Sequence, residues 1–474
     1  MGEVSWPPHA RVDTWIATGT EVSAYYDSLL AKVMVFSPEG RSGSIPLMQA
    51  ALSKTILKGV ITNLSLNKGI LASTEFEAGK TTTKFLEVCT FKSEPLVEVL
   101  DPGLMTTVQD YPGRKQMWNV GVPPSGPMDD YSHRLANALL GNPENAATLE
   151  VTLSGPTLKF SRTAQVAVCG MDVDVTVDGT QMPTWEAMSI PAGSIFRVGD
   201  VKKGSRAYIA IKNGLEVPLY LGSKATFPGG GFGGHQGRAL RAGDVPIGEQ
   251  EEKAAIQKIP ADFLPDYPAS KEGIWEIKVL LGPQSAPDYF TQEDVDEFFS
   301  TVFKVHHNSN RLGIRLDGPR PRFARKDGGD GGSHPSNVHD HVYAIGAINY
   351  TGDMPVVLTI DGPSLGGFVC PVTVISSEMW KMGQVRPGDS IKFIQTSLED
   401  AAAGRLLKNQ VVRALTNTAS GQEGHAAQLQ QTHDYPATSA ILLEIENGDD
   451  SPNMIVRLAG DRYIFIELDL WNLI

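Results

Sequence analysis

The chain has 474 residues and a formal charge of −13, from 41 basic and 54 acidic side chains, and an acidic chain repels phosphate backbones, which argues against nucleic acid as a partner. Hydrophobic residues at 41% rule out whole-chain disorder, and 48 Gly with 31 Pro point to short strands joined by turns, not to a helical bundle. The scattered cysteines Cys89, Cys169 and Cys370, the lack of an apolar run of about 18 residues, and a start without basic and apolar leader regions point to a reducing, cytoplasmic setting with no disulfide framework, membrane span or secretory signal.

In chain order, residues 1–95 read as a small α/β piece. Val33–Phe36 is a predicted strand, and Leu47–Lys58 carries apolar residues at near-helical spacing. From Leu96 the character becomes β-rich. Asp101–Gly126 is dense in turn residues. Met128, Tyr131, Leu135, Ala138 and Leu139 then make the stripe of a helix that ends at Gly141. Gln165–Gly179 alternates, with Asp178-Gly179 as a hairpin turn. Ala207–Ile211 and Val356–Ile360 are further strands. Thr291 is placed to cap a helix over Gln292–Phe303. Ile190–Phe196 and Val385–Ile391 resemble each other, as a two-fold repeat of β-units or as two similar turns. Residues 398–438 read as a short helix and a linker. Strands resume at Ile441–Ile445, Met454–Leu458 and Tyr463–Ile466; three strands close no core, so this last unit reads as truncated.

Few motifs carry chemistry. Gly79-Lys80-Thr81 lacks the earlier Gly of a phosphate-binding loop, because Thr74 stands there, and reads as a turn. Gly229–Gly234 fits Gly-x-Gly-x-x-Gly but opens no helix, so it is not a dinucleotide fingerprint. Its glycines imply a close backbone approach, and the loop delivers His235, Gln236 and Arg238. A second loop, Asp327–Asn337, offers backbone N–H groups with His334, Ser336 and Asn337. His334, His339 and His341 show no metal-ligand spacing. Arg311 and Arg315 fall on one face of a predicted strand, either as an anion site or as surface charges. Ser125 and Asp129 stand at the start of the helix near Asp110 and Arg114, and no nucleophile elbow is present.

These residues carry a family likeness. Val108–Arg114, Gly121-Val122, Ser125–Asp129, Leu149–Pro156, Gly234–Arg238, Arg311–Leu316 and Gly332–Asn337 resemble the KipA family. That family is also called allophanate hydrolase subunit 2, or the carboxyltransferase domain of urea carboxylase. The likeness runs from about 96 to 397. Arg11–Asp13, Tyr26–Lys32 and Gly59–Leu64 look like the C-terminal end of a biotin carboxylase, and Leu458–Arg462 resembles the beginning of a KipI-type domain. The order is similar to that of the fungal urea amidolyases.

The resemblance implies four segments: a carboxylase end at 1–95, a KipA-type carboxyltransferase domain at 96–397, a helix and linker at 398–438, and a KipI-type start at 439–474. The implied fold is β-rich α+β, with β-barrel-like (cyclophilin-like) subdomains and few helices. The implied activity moves a carboxyl group from carboxybiotin to urea, giving allophanate, with partner carrier, carboxylase and KipI-type domains. Biotin is carried elsewhere, ATP belongs to the carboxylase part, and no metal is implied. The site is expected in Arg238, His334, Asn337, Arg311 and Arg315 as catalytic groups. His235, Gln236, Ser336, Asp110, Arg114, Ser125 and Asp129 are expected to bind substrate. Neither an ATP-grasp part nor an amidase is present, and Trp380-Lys381-Met382 lacks a biotinylation context, so the chain reads as a fragment or a shortened gene product. Alternatives are a 5-oxoprolinase-like subunit, a non-catalytic regulatory module, or an inactive remnant.

Overall fold

The computed structural model describes residues 3–22, 27–58, 62–88, 97–170, 172–244, 258–260, 263–265, 273–419, 441–445, 453–458 and 462–467. Met1-Gly2, Tyr26, Gly59–Ile61, Cys89, the linker expected at 420–438 and the turn expected at 459–461 lie outside them. Two units divide the chain: residues 1–115 with 125–262, and 116–124 with 263–474. The division falls inside the span 96–397.

The first unit begins with small antiparallel pairs, Glu3–Ser5 with Ile56–Lys58 and Arg11–Thr14 with Ala31–Met34. The helix expected at Leu47–Lys58 is instead Arg41–Lys54. Thr55 turns extended at φ −77° and ψ 126° and closes the helix, its N–H donating to Leu52 O and its hydroxyl to Ala51 O. Ile56–Lys58 is thereby released to the sheet.

Two five-stranded sheets follow. One runs Thr180–Met182, Val173–Val177, Ile195–Val201, Thr157–Phe160, Val97–Asp101. The other runs Ala187–Ile190, Ala164–Gly170, Arg206–Ile211, Thr148–Thr152, Met105–Gln109. The alternation of Val173, Val175 and Val177 is real, since all three are buried. Asp178 at φ 49° and Gly179 at φ 81° turn the chain into Thr180–Met182, because a tight hairpin needs both central residues left-handed. Ala164–Gly170 is an interior strand of its sheet, flanked on both sides, and is buried along nearly its whole length, so it does not share that alternation.

Helix Asp130–Leu139 ends as its sequence predicts. Gly141, at φ 62°, donates to Ala138 O at 2.9 Å, and the Asn142 N–H donates to Asn137 O at 3.0 Å, the paired bonds of a Schellman stop. Yet Ser132 to Leu139 are all buried, well beyond the predicted stripe.

In the second unit a closed barrel of seven strands runs Ile274–Leu281, Val372–Val374, Ala347–Thr351, Met354–Leu358, Gly313–Asp317, Val302–Val305, Ser390–Gln395. Ser390–Gln395 closes it by pairing parallel with Ile274–Leu281. Phe298, Phe303 and Phe393 pack together inside, with Phe298 stacked on Phe393 at 5.0 Å between centroids. Thr291 and Asp294 form a reciprocal capping box for helix Gln292–Ser300. That helix stops short of the expected Phe303: Thr301 is extended, and Val302 is exposed on a strand whose Phe303 and Val305 point inward.

Gly193 at φ 85° and Gly388 at φ 88° each make a turn into a strand, but a strand precedes the first and helix Met379–Gln384 the second. The likeness is of turns. Lys381 sits in that helix and pairs with Glu378 at 2.5 Å. Residues Leu398–Ala419 form one 22-residue helix, longer than expected. Ile441–Ile445, Asn453–Leu458 and Arg462–Glu467 make an antiparallel three-stranded sheet. The structure is thus β-rich with few helices, as the sequence led us to expect. Among the described residues no helix is long and apolar enough to cross a membrane.

Candidate functional site

In the first unit the Gly-rich loop starts from a narrow turn, where the Phe227 N–H donates to Phe232 O at 2.9 Å. The Phe232 ring lies 4.9 Å from the Tyr220 ring and 5.3 Å from that of Phe227, and the Arg114 guanidinium sits over it at 4.9 Å. Gly233, Gly234 and Gly237 have φ of 75°, 54° and 69°. A Cβ would strike Ala225 O and Arg114 at Gly233, Thr226 Oγ1 at Gly234, and Gly231 O at Gly237. The close approach that the glycines allow is therefore to the protein's own neighbouring backbone and side chains.

The polar groups of this loop converge on Asp244. Arg238 is bidentate to its carboxylate, Nη1 to Oδ2 at 2.7 Å and Nη2 to Oδ1 at 2.9 Å. His235 Nε2 lies 3.3 Å from Oδ1, and the Arg241 N–H donates to Oδ2 at 2.7 Å. Burial alone would raise the Asp244 pKa, but the bonds from His235, Arg238 and the Arg241 N–H outweigh it and hold the carboxyl well below the usual range. Arg238 Nη2 also donates to Gln236 Oε1 at 2.7 Å.

The expected neighbours gather beside this loop. The Asp110 carboxylate accepts from the Ser223 hydroxyl at 2.5 Å and the Lys224 N–H at 2.8 Å. Arg114, 2% exposed, donates to Ala225 O. Gln109 joins the pieces, accepting from the Gly126 N–H at 3.1 Å and donating to Thr226 O at 3.2 Å. Ser125 is buried at φ 56°, and its hydroxyl has no partner among the described residues. Asp129 caps the helix, accepting from the Ser132 N–H at 2.9 Å. Its own N–H donates to Tyr208 OH, which donates to the fully buried Glu150, both at 2.8 Å. Asp110, Arg114 and Asp129 thus have structural partners. Sequence reasoning passed over Gln109, Glu150, Tyr208 and Asp244. No sequence motif marks Asp244; folding brings it to Arg238.

In the second unit His334, Ser336 and Asn337 come together. The Ser336 N–H donates to His334 Nδ1 at 3.2 Å, which makes Nδ1 the acceptor and leaves Nε2 as the N–H. Nε2 lies 3.3 Å from Asp353 Oδ1, with His334 about 39% exposed. Asn337 O accepts from Arg325 Nη1 at 2.7 Å. The arginine pair departs from expectation. The strand begins only at Gly313, because Asn310 Oδ1 takes the Leu312 N–H in a turn. Arg311 therefore precedes the strand, buried, with Nε 2.7 Å from Asp361 Oδ2, while Arg315 is exposed on the strand. The two do not share a face. Both nitrogens of His341 lie 2.9 Å from backbone oxygens, Val342 O and Phe368 O. Among the described residues no group of His, Cys, Asp and Glu is placed to hold a metal ion.

Residues 120–395 match the family described as the carboxyltransferase domain, subdomains A and B. The chain belongs to that carboxyltransferase family. Residues 1–88 match the biotin carboxylase C-terminal domain. The chain is 42% identical to the urea amidolyase of Saccharomyces cerevisiae over 98% of its own length, but spans only 25% of that relative. It is also similar to the crystal structure of the Kluyveromyces lactis urea carboxylase, with a TM-score of 0.77 and 42% identity over 99% of this chain and 42% of that one. A 5-oxoprolinase subunit of Escherichia coli is 29% identical over 65% of this chain and 94% of its own length.

Proposed function

We propose that this chain supplies the carboxyltransferase step of a biotin-dependent urea carboxylase, passing a carboxyl group from carboxybiotin to a urea nitrogen to give allophanate. The observation that carries the reading is the similarity to a urea amidolyase over 98% of the chain. The adjoining match to a biotin carboxylase end supports biotin as the cofactor, ATP as the carboxylase's substrate, and carrier and carboxylase domains as partners; a KipI-type partner is part of the proposal. A cytoplasmic setting goes with this reading.

The residues present suit a small ureido group. The Gln236 amide nitrogen and the Ser125 hydroxyl are buried donors with no partner among the described residues, and a ureido carbonyl accepts such bonds. When bound, the biotin ring supplies the carboxyl carbon and takes the proton that urea loses. The chain's own part is to hold urea and to meet developing charge with fixed donors, which needs no nucleophilic side chain. Gln236 and Ser125 bind the carbonyl oxygen, with His235, Asp110, Arg114 and Asp129 holding the frame. Within the second unit, His334, oriented by Ser336 and flanked by Asn337, is a separate candidate group with a 39% exposed imidazole. Arg315 offers an exposed guanidinium to carboxylate charge, while Arg311 fixes the entry to its strand through Asp361.

In the complete enzyme containing this chain, Gln236→Ala and His334→Ala should each lower urea-dependent turnover by about tenfold or more. Carboxylation of biotin without urea should be unchanged. Urea turnover at the wild-type rate in both variants would overturn the site. A second reading, a 5-oxoprolinase subunit, is supported by the likeness to the Escherichia coli protein, and 5-oxoproline-dependent ATP turnover in place of urea-dependent turnover would favour it.

A further inference from the structure

Asp244 belongs to none of the motifs above, yet it ties the Gly-rich loop to the sheet. Its O accepts from the Val99 N–H at 2.9 Å, and the Gly243 N–H donates to Val99 O at 2.8 Å. Val99 is fully buried in the strand Val97–Asp101, so the anchor is rigid. The Asp244 side chain is 5% exposed and carries the bidentate bond from Arg238. The contacts continue beyond it. Arg238 Nη2 spans Asp244 Oδ1 at 2.9 Å and Gln236 Oε1 at 2.7 Å.

Arginine only donates, so Gln236 must turn its oxygen to Arg238. This removes the usual ambiguity of an amide and leaves Nε2 as the free end. That nitrogen is buried with no partner among the described residues. Gln236 also has φ 60°, an uncommon conformation for a residue other than Gly, of the kind that clusters at ligand clamps. Two independent features, an oriented amide and an unsatisfied buried donor, thus meet at one residue.

We infer that Asp244 is a positioning residue: through Arg238 it fixes the Gln236 amide so that its N–H donors meet the oxygen of a small ureido or carboxyl compound. The inference rests on the function proposed above, which supplies urea as that compound. A substrate that brings no oxygen acceptor would leave the buried donor unpaired and is disfavoured.

The test uses the complete enzyme. Asp244→Asn keeps the size and removes the charge that holds Arg238. At temperatures where the variant stays folded it should lower kcat/KM for urea about 10–100-fold, with urea-independent biotin carboxylation unchanged. Asp244→Glu should recover part of the loss. Combining Asp244→Asn with Gln236→Ala should be no worse than Gln236→Ala alone, since both act through one amide. Additive losses, or an Asp244→Asn enzyme as active as wild type, would overturn the inference while leaving the proposed function standing. A wild-type enzyme inert toward urea would overturn the proposed function instead. In that case a crystal structure of Asp244→Asn decides the positioning role: a displaced Gln236 amide is expected, and an amide still bonded to Arg238 refutes it.

Discussion

His133 is fully buried, and burial lowers its pKa to about 4 despite opposing contributions from the Glu144 backbone, Asp130 and Glu150. The ring lies 2.9 Å from Thr148 Oγ1 and 3.2 Å from Glu144 O. In the unfolded chain it would titrate near pH 6.5. Below that value the unfolded state takes up a proton that the folded state refuses, so the stability contribution of a neutral His133 is lost as pH falls from about 6.5 towards 4. Denaturant titrations across this window should show a decline of up to about 1.4 kcal/mol per pH unit. His133→Gln should flatten it, and an equally steep decline in the variant would refute the assignment. Asp244, held low, adds stability that is present above about pH 4 and fades on further acidification. At Gly233, a Cβ would strike Ala225 O at a left-handed φ of 75°. Gly233→Ala should therefore cost about 1–3 kcal/mol, measured as a lower denaturation midpoint, and it should lower urea turnover as well.

Helix Asp130–Leu139 carries Ser125 and Asp129 at its entrance, and its ends were readable for local reasons. An Asp at the cap and a Gly after the last turn each satisfy backbone groups the helix cannot. Asp129→Ala should lower stability by about 1–2 kcal/mol, read by thermal unfolding, and a change within error would contradict the capping role. Other boundaries depended on partners far along the chain. Leu47–Lys58 looked helical because its apolar spacing continues past Thr55, but Ile56–Lys58 finds a sheet partner in Glu3–Ser5. Val302 matched the helix period, yet Val302–Val305 pairs with Gly313–Asp317 and Ser390–Gln395. Periodicity fixes the kind of element better than its limits, since pairing between distant strands overrides local preference.

At the scale of the whole chain, turn chemistry and glycine content were enough to anticipate a β-rich fold, and motif resemblance anticipated the family. The site was less legible. Which loops carry polar groups could be read directly, so His235, Gln236, Arg238, His334, Ser336 and Asn337 were singled out. Which of those groups are already engaged could not, because Asp244 and Asp353 are brought to them only by folding. The chain spans about a quarter of the Saccharomyces cerevisiae relative, so its activity is best measured in the complete enzyme. Labelled bicarbonate supplied with ATP, biotin and one candidate acceptor at a time tests carboxyl transfer most directly. The account predicts label on urea, dependent on biotin and lost with Gln236→Ala and His334→Ala. Label that never reaches urea, or turnover that requires 5-oxoproline and ignores biotin, would contradict it.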